Sequence, residues 1–159
     1  MATVTKNRYQ DSQNFGAVPY GNLTTLEYGL ATAATGAVIG SNSAAALASG
    51  DIVRVGILPA GFRLHDSLTI VNDAFTASVT GTIGFAYVDG VDDTAVPQDA
   101  DYFGAAVAIN AAGRYRASNT AVAPVTLPKD AWLTLTTGGA THNTAANAVI
   151  LVTGEHVGV

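Results

Sequence analysis

Short runs of β-branched and aromatic residues, alternation of large apolar with small or polar side chains, and breaks that stop any helix beyond about two turns together predict an all-β chain. The 159 residues divide into an extended N-terminal arm, 1–24, and a β-sandwich domain, 25–159. Strand and loop together repeat roughly every 12 to 15 residues, with some long connections, which fits a jelly-roll-like two-sheet Greek key better than a run of tight hairpins.

The arm carries no apolar period. It holds Lys6, Arg8, Tyr9, Phe15, Val18 and Tyr20 among polar residues. A segment this polar does not offset its ordering entropy by burial, so mobility in the free protein is expected. Two readings stay open: a disordered tail, or an arm that orders on a neighbouring subunit. In the second, Tyr9, Phe15, Val18 and Tyr20 are the apolar anchors and Lys6 and Arg8 the polar ones, since aromatic residues and arginine carry much interface energy.

Residues 23–33 read as the first strand, with Leu26, Tyr28 and Leu30 on one face. Residues 34–49 contain a helix-compatible alanine run, yet Gly36, Gly40 and Gly50 interrupt it, which leaves a short strand at 37–39 and a loop. The centre of the chain is 50–72, GDIVRVGILPAGFRLHDSLTIVN. Its two strand-like runs meet at Leu58-Pro59-Ala60-Gly61, where proline sets φ and glycine accepts positive φ, so the chain reverses or changes sheet there. In residues 76–88, Ile83, Phe85 and Tyr87 alternate with Gly84 and Ala86, giving one bulky face and one that a second sheet or another subunit approaches closely. Further strands are expected at 102–109, 114–117, 131–137 and 146–153. The longest apolar run, 148–152, is far short of the roughly 20 residues of a membrane-spanning helix.

Composition narrows the function. Only 12% of residues are charged, against about 25% in ordinary domains; the surface is therefore bland and suited to close assembly. A net charge of −5 opposes the basic face that nucleic acid requires. Without cysteine there are no disulfides or thiolate sites. The N-terminal residues lack the apolar stretch of a signal peptide, so synthesis in a cytoplasm without classical export is expected.

The search for chemistry finds little. Asp89, Asp92, Asp93, Asp99 and Asp101 cluster in DGVDDTAVPQDAD. Their spacing is not that of a calcium-binding helix–loop–helix and no glutamate closes the set, so a solvated loop tip outweighs a calcium site. His65, His142 and His156 have no short metal-ligand spacing and read as ordinary strand or loop histidines. No nucleophile elbow, phosphate loop or dinucleotide fingerprint occurs, and neither enzyme activity nor a cofactor is expected. Trp132 reads as a packed residue, with a sugar-stacking platform as the alternative.

One resemblance gives direction. The segment GDIVRVGILPAGFRL, followed by SLTIVND at 67–73 and TIGFAY at 82–87, resembles capsid decoration (cement) proteins of tailed bacteriophages. It spans residues 50–88, with a looser likeness in AVILVTGEHV. The resemblance implies a jelly-roll-like sandwich on the virion exterior that binds the major capsid protein, and itself as a homotrimer or homodimer, without nucleic acid, membrane or catalysis. It also implies an extended N-terminal arm, a role residues 1–24 fit. The alternative is a carbohydrate- or receptor-binding sandwich of a phage tail, with Trp132 and the acidic loop as its candidate sites.

Overall fold

The computed structural model describes residues 1–5, 23–118 and 123–157. Among them every regular element is a strand: β1 (Thr3–Thr5), β2 (Leu23–Thr32), β3 (Ile52–Leu58), β4 (Phe62–Asp73), β5 (Thr80–Tyr87), β6 (Asp99–Val107), β7 (Gly113–Arg116), β8 (Val125–Thr126), β9 (Ala131–Gly138) and β10 (Ala146–His156). One sheet has the order β1-β3-β9-β5-β6 and the other β2-β10-β4-β7, with β8 also paired to β4. The last long strands thus insert between early ones, β9 between β3 and β5, β10 between β2 and β4. That interleaving across two sheets is the jelly roll expected from the spacing.

The chain changes sheet at a turn over residues 59–62, one residue beyond the predicted 58–61. The Phe62 N–H donates to the Pro59 carbonyl at 3.2 Å, and Gly61 takes φ 74° at the third position, the geometry of a type II turn. Two further bonds pin it: Gly61 N–H to the Leu127 carbonyl, 2.8 Å, and Ala60 N–H to Asp130 Oδ1, 2.8 Å.

Between the sheets, alternation delivers Leu26, Tyr28 and Leu30 from β2, Val53 and Val55 from β3, and Leu64 and Val71 from β4, all buried. Against them pack Ile83, Phe85 and Tyr87 from β5, Leu133 and Leu135 from β9, and Ile150 and Val152 from β10. Each fully buried large side chain stabilises by about 1.5–3 kcal/mol relative to exposure. Phe85 anchors an edge-to-face aromatic chain, with ring centroids 5.5 Å from Tyr102 and 5.9 Å from Tyr87, and Tyr102 lies 4.9 Å from Phe103.

The small face of β5 finds its partner within the chain. A Cβ on Gly84 would stand 2.1 Å from the Asp99 carbonyl oxygen and 2.4 Å from the Ala100 carbonyl carbon, so the backbone that opens β6 is what approaches. Four differences from the sequence reading follow from local chemistry. Residues 37–39 make only a single bridge, Thr32 to Val38. β5 begins at Thr80 because residues 76–79 turn, with the Val79 N–H on the Thr76 carbonyl. β8 has two residues and is held by its partners Arg63 and Leu64. β1 precedes the strand expected to be first and pairs in parallel with Ile52–Arg54.

Candidate assembly surface

The carboxylates of the acidic loop point into its own backbone. Asp89 accepts the Val91 N–H at 2.9 Å and pairs with Lys129 Nζ at 2.7 Å; the lysine bond is the main reason its carboxyl lies below the usual range. Asp92 accepts from Asp93 and Gln98, at 2.9 and 2.7 Å, and Asp93 from Ala95 and Val96, at 2.8 and 2.9 Å. Burial pushes the Asp99 carboxyl up, reinforced by Asp101. These are Asx-type turns that fold a loop. Among the described residues no three His, Asp or Glu side chains come together as a cation site.

The histidines serve the scaffold or the surface. His65 Nε2 lies 3.6 Å from Glu155 Oε1, which Arg63 also approaches at 3.5 Å, and His156 is exposed at the end of β10. His142 is fully buried. Its Nδ1 accepts the Thr76 N–H at 3.1 Å, which makes Nε2 the protonated nitrogen and the donor to Thr32 Oγ1 at 2.7 Å. Burial holds it below the ordinary histidine range. Trp132 is 7% exposed on the outer side of β9, between Ile57 and Ala86, with the Arg54 guanidinium carbon 5.3 Å from its ring centroid. A ring so covered is no sugar-stacking platform.

Lys6, Arg8, Tyr9, Phe15, Val18 and Tyr20 lie outside the described residues. The described chain stops at Thr5, on the edge of one sheet, and resumes at Leu23, on the edge of the other. The early end is fixed by buried Asp51, whose Oδ1 accepts the Ala2 N–H at 2.8 Å and whose Oδ2 accepts the Ala48 N–H at 2.9 Å, and by Asn42, which accepts the Thr5 N–H at 3.0 Å.

The outer face of the β2-β10-β4-β7 sheet is the surface that sequence reading missed. The register sets two rows across it, Glu27–Leu151–Leu68–Arg116 and Gly29–Val149–Ile70–Arg114. The four apolar residues at the centre are half-buried, whereas Glu27, Arg114 and Arg116 are exposed. A solvated sheet face normally carries polar residues at such positions. The signal was in the sequence: an uninterrupted apolar run at 148–152 places apolar side chains on both faces of a strand.

Comparison with known proteins bears on the whole chain. A chain in the capsid of Ralstonia phage GP4 superposes with a TM-score of 0.66 at 15% identity, covering 98% of both chains. This is a fold found in phage capsids. A chain of the cyanophage Pam1 capsid asymmetric unit is similar with a TM-score of 0.57 at 14% identity, over 88% of this chain and 89% of that one. No protein-family model matches, and no curated protein matches. The likeness is one of fold, and it agrees with the all-β sandwich expected from the sequence.

Proposed function

We propose that this chain is a structural virion protein that binds the outer surface of a phage capsid and cements it through non-covalent subunit contacts, acting by binding alone. The observation that carries this reading is the likeness, over nearly the whole length of both chains, to a chain of the GP4 capsid. The low charge supports it, as does a side-chain chemistry spent on loops and scaffold. The major capsid protein is the partner. The arm supplies contacts through Lys6, Arg8, Tyr9, Phe15, Val18 and Tyr20, while the sandwich covers joints between capsid subunits. About 800 Å² buried per partner suffices for one specific contact, and many copies on one shell strengthen retention.

The test is co-sedimentation of the purified chain with capsid shells stripped of accessory proteins, with the shell's thermal disruption followed in parallel. Saturable binding and a raised disruption temperature are expected. Replacing residues 6–20 by a glycine–serine stretch of equal length keeps β1 and its Asp51 anchor while removing every proposed arm contact. It is expected to leave the melting temperature of the free protein unchanged and to weaken shell binding at least tenfold, a loss of about 1.4 kcal/mol. Equal binding by the replaced chain removes the arm from the reading, and absence of binding by the intact chain removes the reading itself.

A further inference from the structure

We infer that His142 is an acid-released fastening for one end of the sandwich: protonation of its ring frees the connections it holds together, while the two sheets stay paired. Four connections cross between the sheets at that end, 33–51 after β2, 74–79 after β4, 108–112 after β6 and 139–145 after β9. β2 and β4 run together against β10, and β6 and β9 run together against β5, so within each sheet these connections leave from the same side. His142 joins the two sets. The inference stands independently of the capsid role.

The juxtaposition that carries it is one buried residue bonded to every neighbouring segment. His142 Nε2–H donates to Thr32 Oγ1, at the close of β2, at 2.7 Å, and the Thr32 hydroxyl donates onward to the Thr144 carbonyl at 3.1 Å. Nδ1 accepts the Thr76 N–H of 74–79 at 3.1 Å. The backbone of the same residue holds 33–51: the His142 N–H donates to the Leu47 carbonyl at 2.8 Å, and a Cβ added to Gly36 would stand 2.0 Å from the His142 carbonyl oxygen. Phe75 packs with its ring centroid 4.6 Å from the imidazole, and its N–H donates to the Ile109 carbonyl at 3.1 Å, which ties in 108–112.

A second proton on this ring has no place to go. It makes Nδ1 a donor that faces the Thr76 N–H, donor against donor. The Thr76 hydroxyl, 3.1 Å from Nδ1, can accept from it, but the Thr76 N–H is then left without its acceptor. No counter-charge helps. Residues 33–50, 74–79, 108–112 and 139–145 contain no other ionisable side chain. At their borders, Asp51 commits both carboxylate oxygens to the Ala2 and Ala48 N–H groups, Asp73 is exposed at the end of β4, and Arg114, exposed on β7, has the same sign as an imidazolium. Burial penalises the charged ring only while this end is closed. Opening solvates the ring and returns its proton affinity to the ordinary range near pH 6.5, so acid draws the open form. The ladders of β9 and β10 make no use of the ring, and the sheets persist. The opened end uncovers Leu47 and Phe75, both buried in the closed form.

Residue-resolved amide hydrogen exchange of the full chain, compared between neutral and mildly acidic pH after correction for intrinsic rates, tests the fastening. Between about pH 7.5 and about pH 5, protection of the Thr76, His142 and Asn143 amides is expected to fall by about tenfold or more. The amides of Leu133, Leu135 and Ile150 are expected to change far less. The His142 ring, followed by its carbon-bound proton resonances, is expected to titrate with the same midpoint as the loss of protection. His142→Gln places an amide oxygen to accept from Thr76 and an amide nitrogen to donate to Thr32; it is expected to keep this end closed at both pH values, whereas His65→Gln keeps the wild-type response. Protection that ignores pH, that falls equally across the sheets, or that falls with a midpoint unlike that of the ring overturns the inference, and these outcomes are read on the wild-type chain whether or not the glutamine variant folds. A folded His142→Gln chain with an unchanged pH response overturns it as well.

Discussion

Two buried polar residues fasten distant parts of the chain, and each makes a measurable prediction. Asp51 satisfies the N–H groups of Ala2 and Ala48 at once, so Asp51→Ala leaves both unmatched; a loss of about 2 kcal/mol is expected in urea unfolding, with Asp51→Asn recovering part of it. His142 is neutral in the folded state because its Nδ1 must accept from Thr76 and because burial penalises its charged form. Its folded pKa lies below the unfolded value near 6.5, so the unfolded chain binds the extra proton first. Stability therefore falls as pH drops through about 6.5 and on toward the folded pKa, and is restored as pH rises. Thermal unfolding between neutral and mildly acidic pH is expected to show this slope in the wild type and a flatter one in His142→Gln. Neither role was legible in the sequence. The partners of His142, Thr32 and Thr76, are 110 and 66 residues away, and only the folded topology brings them together.

Strands that bury one face were legible because their period of two is written in the residues. Leu26-x-Tyr28-x-Leu30 and Ile83-x-Phe85-x-Tyr87 supply continuous inward rows. β1 and β8 have three and two residues, too few for a period, and take their structure from β3 and β4. β10 reads as a strand but conceals its outward face, since a run apolar on both sides gives type without orientation. The turn between β3 and β4 was legible in place and in its glycine, whereas Pro59 stands at the first turn position, where its fixed φ does not set the turn. Gly61 at φ 74° has the conformation that an L side chain enters at a cost of about 1–2 kcal/mol. Gly61→Ala is expected to lower stability by about that amount without altering the strands, as measured by chemical denaturation with circular dichroism before and after.

The order of the sheets has a kinetic consequence for the whole molecule. β10 lies between β2 and β4 in one sheet, so Leu151, near the end of the chain, pairs with Glu27 near its beginning. β9 closes the other sheet in the same way, between β3 and β5. Neither sheet is continuous until the last fifth of the chain has arrived, and the entropy of closing those long loops is lost before the strand contacts repay it. Refolding on the scale of milliseconds to seconds is therefore expected, as for other sandwiches dominated by non-local pairing. Trp132 reports it well, because its low exposure and its contact with Arg54 form only when β9 docks on β3. Stopped-flow fluorescence of the full chain measures the rate, and microsecond refolding would mean that local contacts carry more of the fold than this topology allows. A chain ending before Ala146 is expected not to fold, since it leaves β2 and β4 without their common partner and the core without Ile150 and Val152. Both termini are thereby committed to one cooperative unit. Opening either sheet would expose unpaired strand edges, which pair readily with other chains.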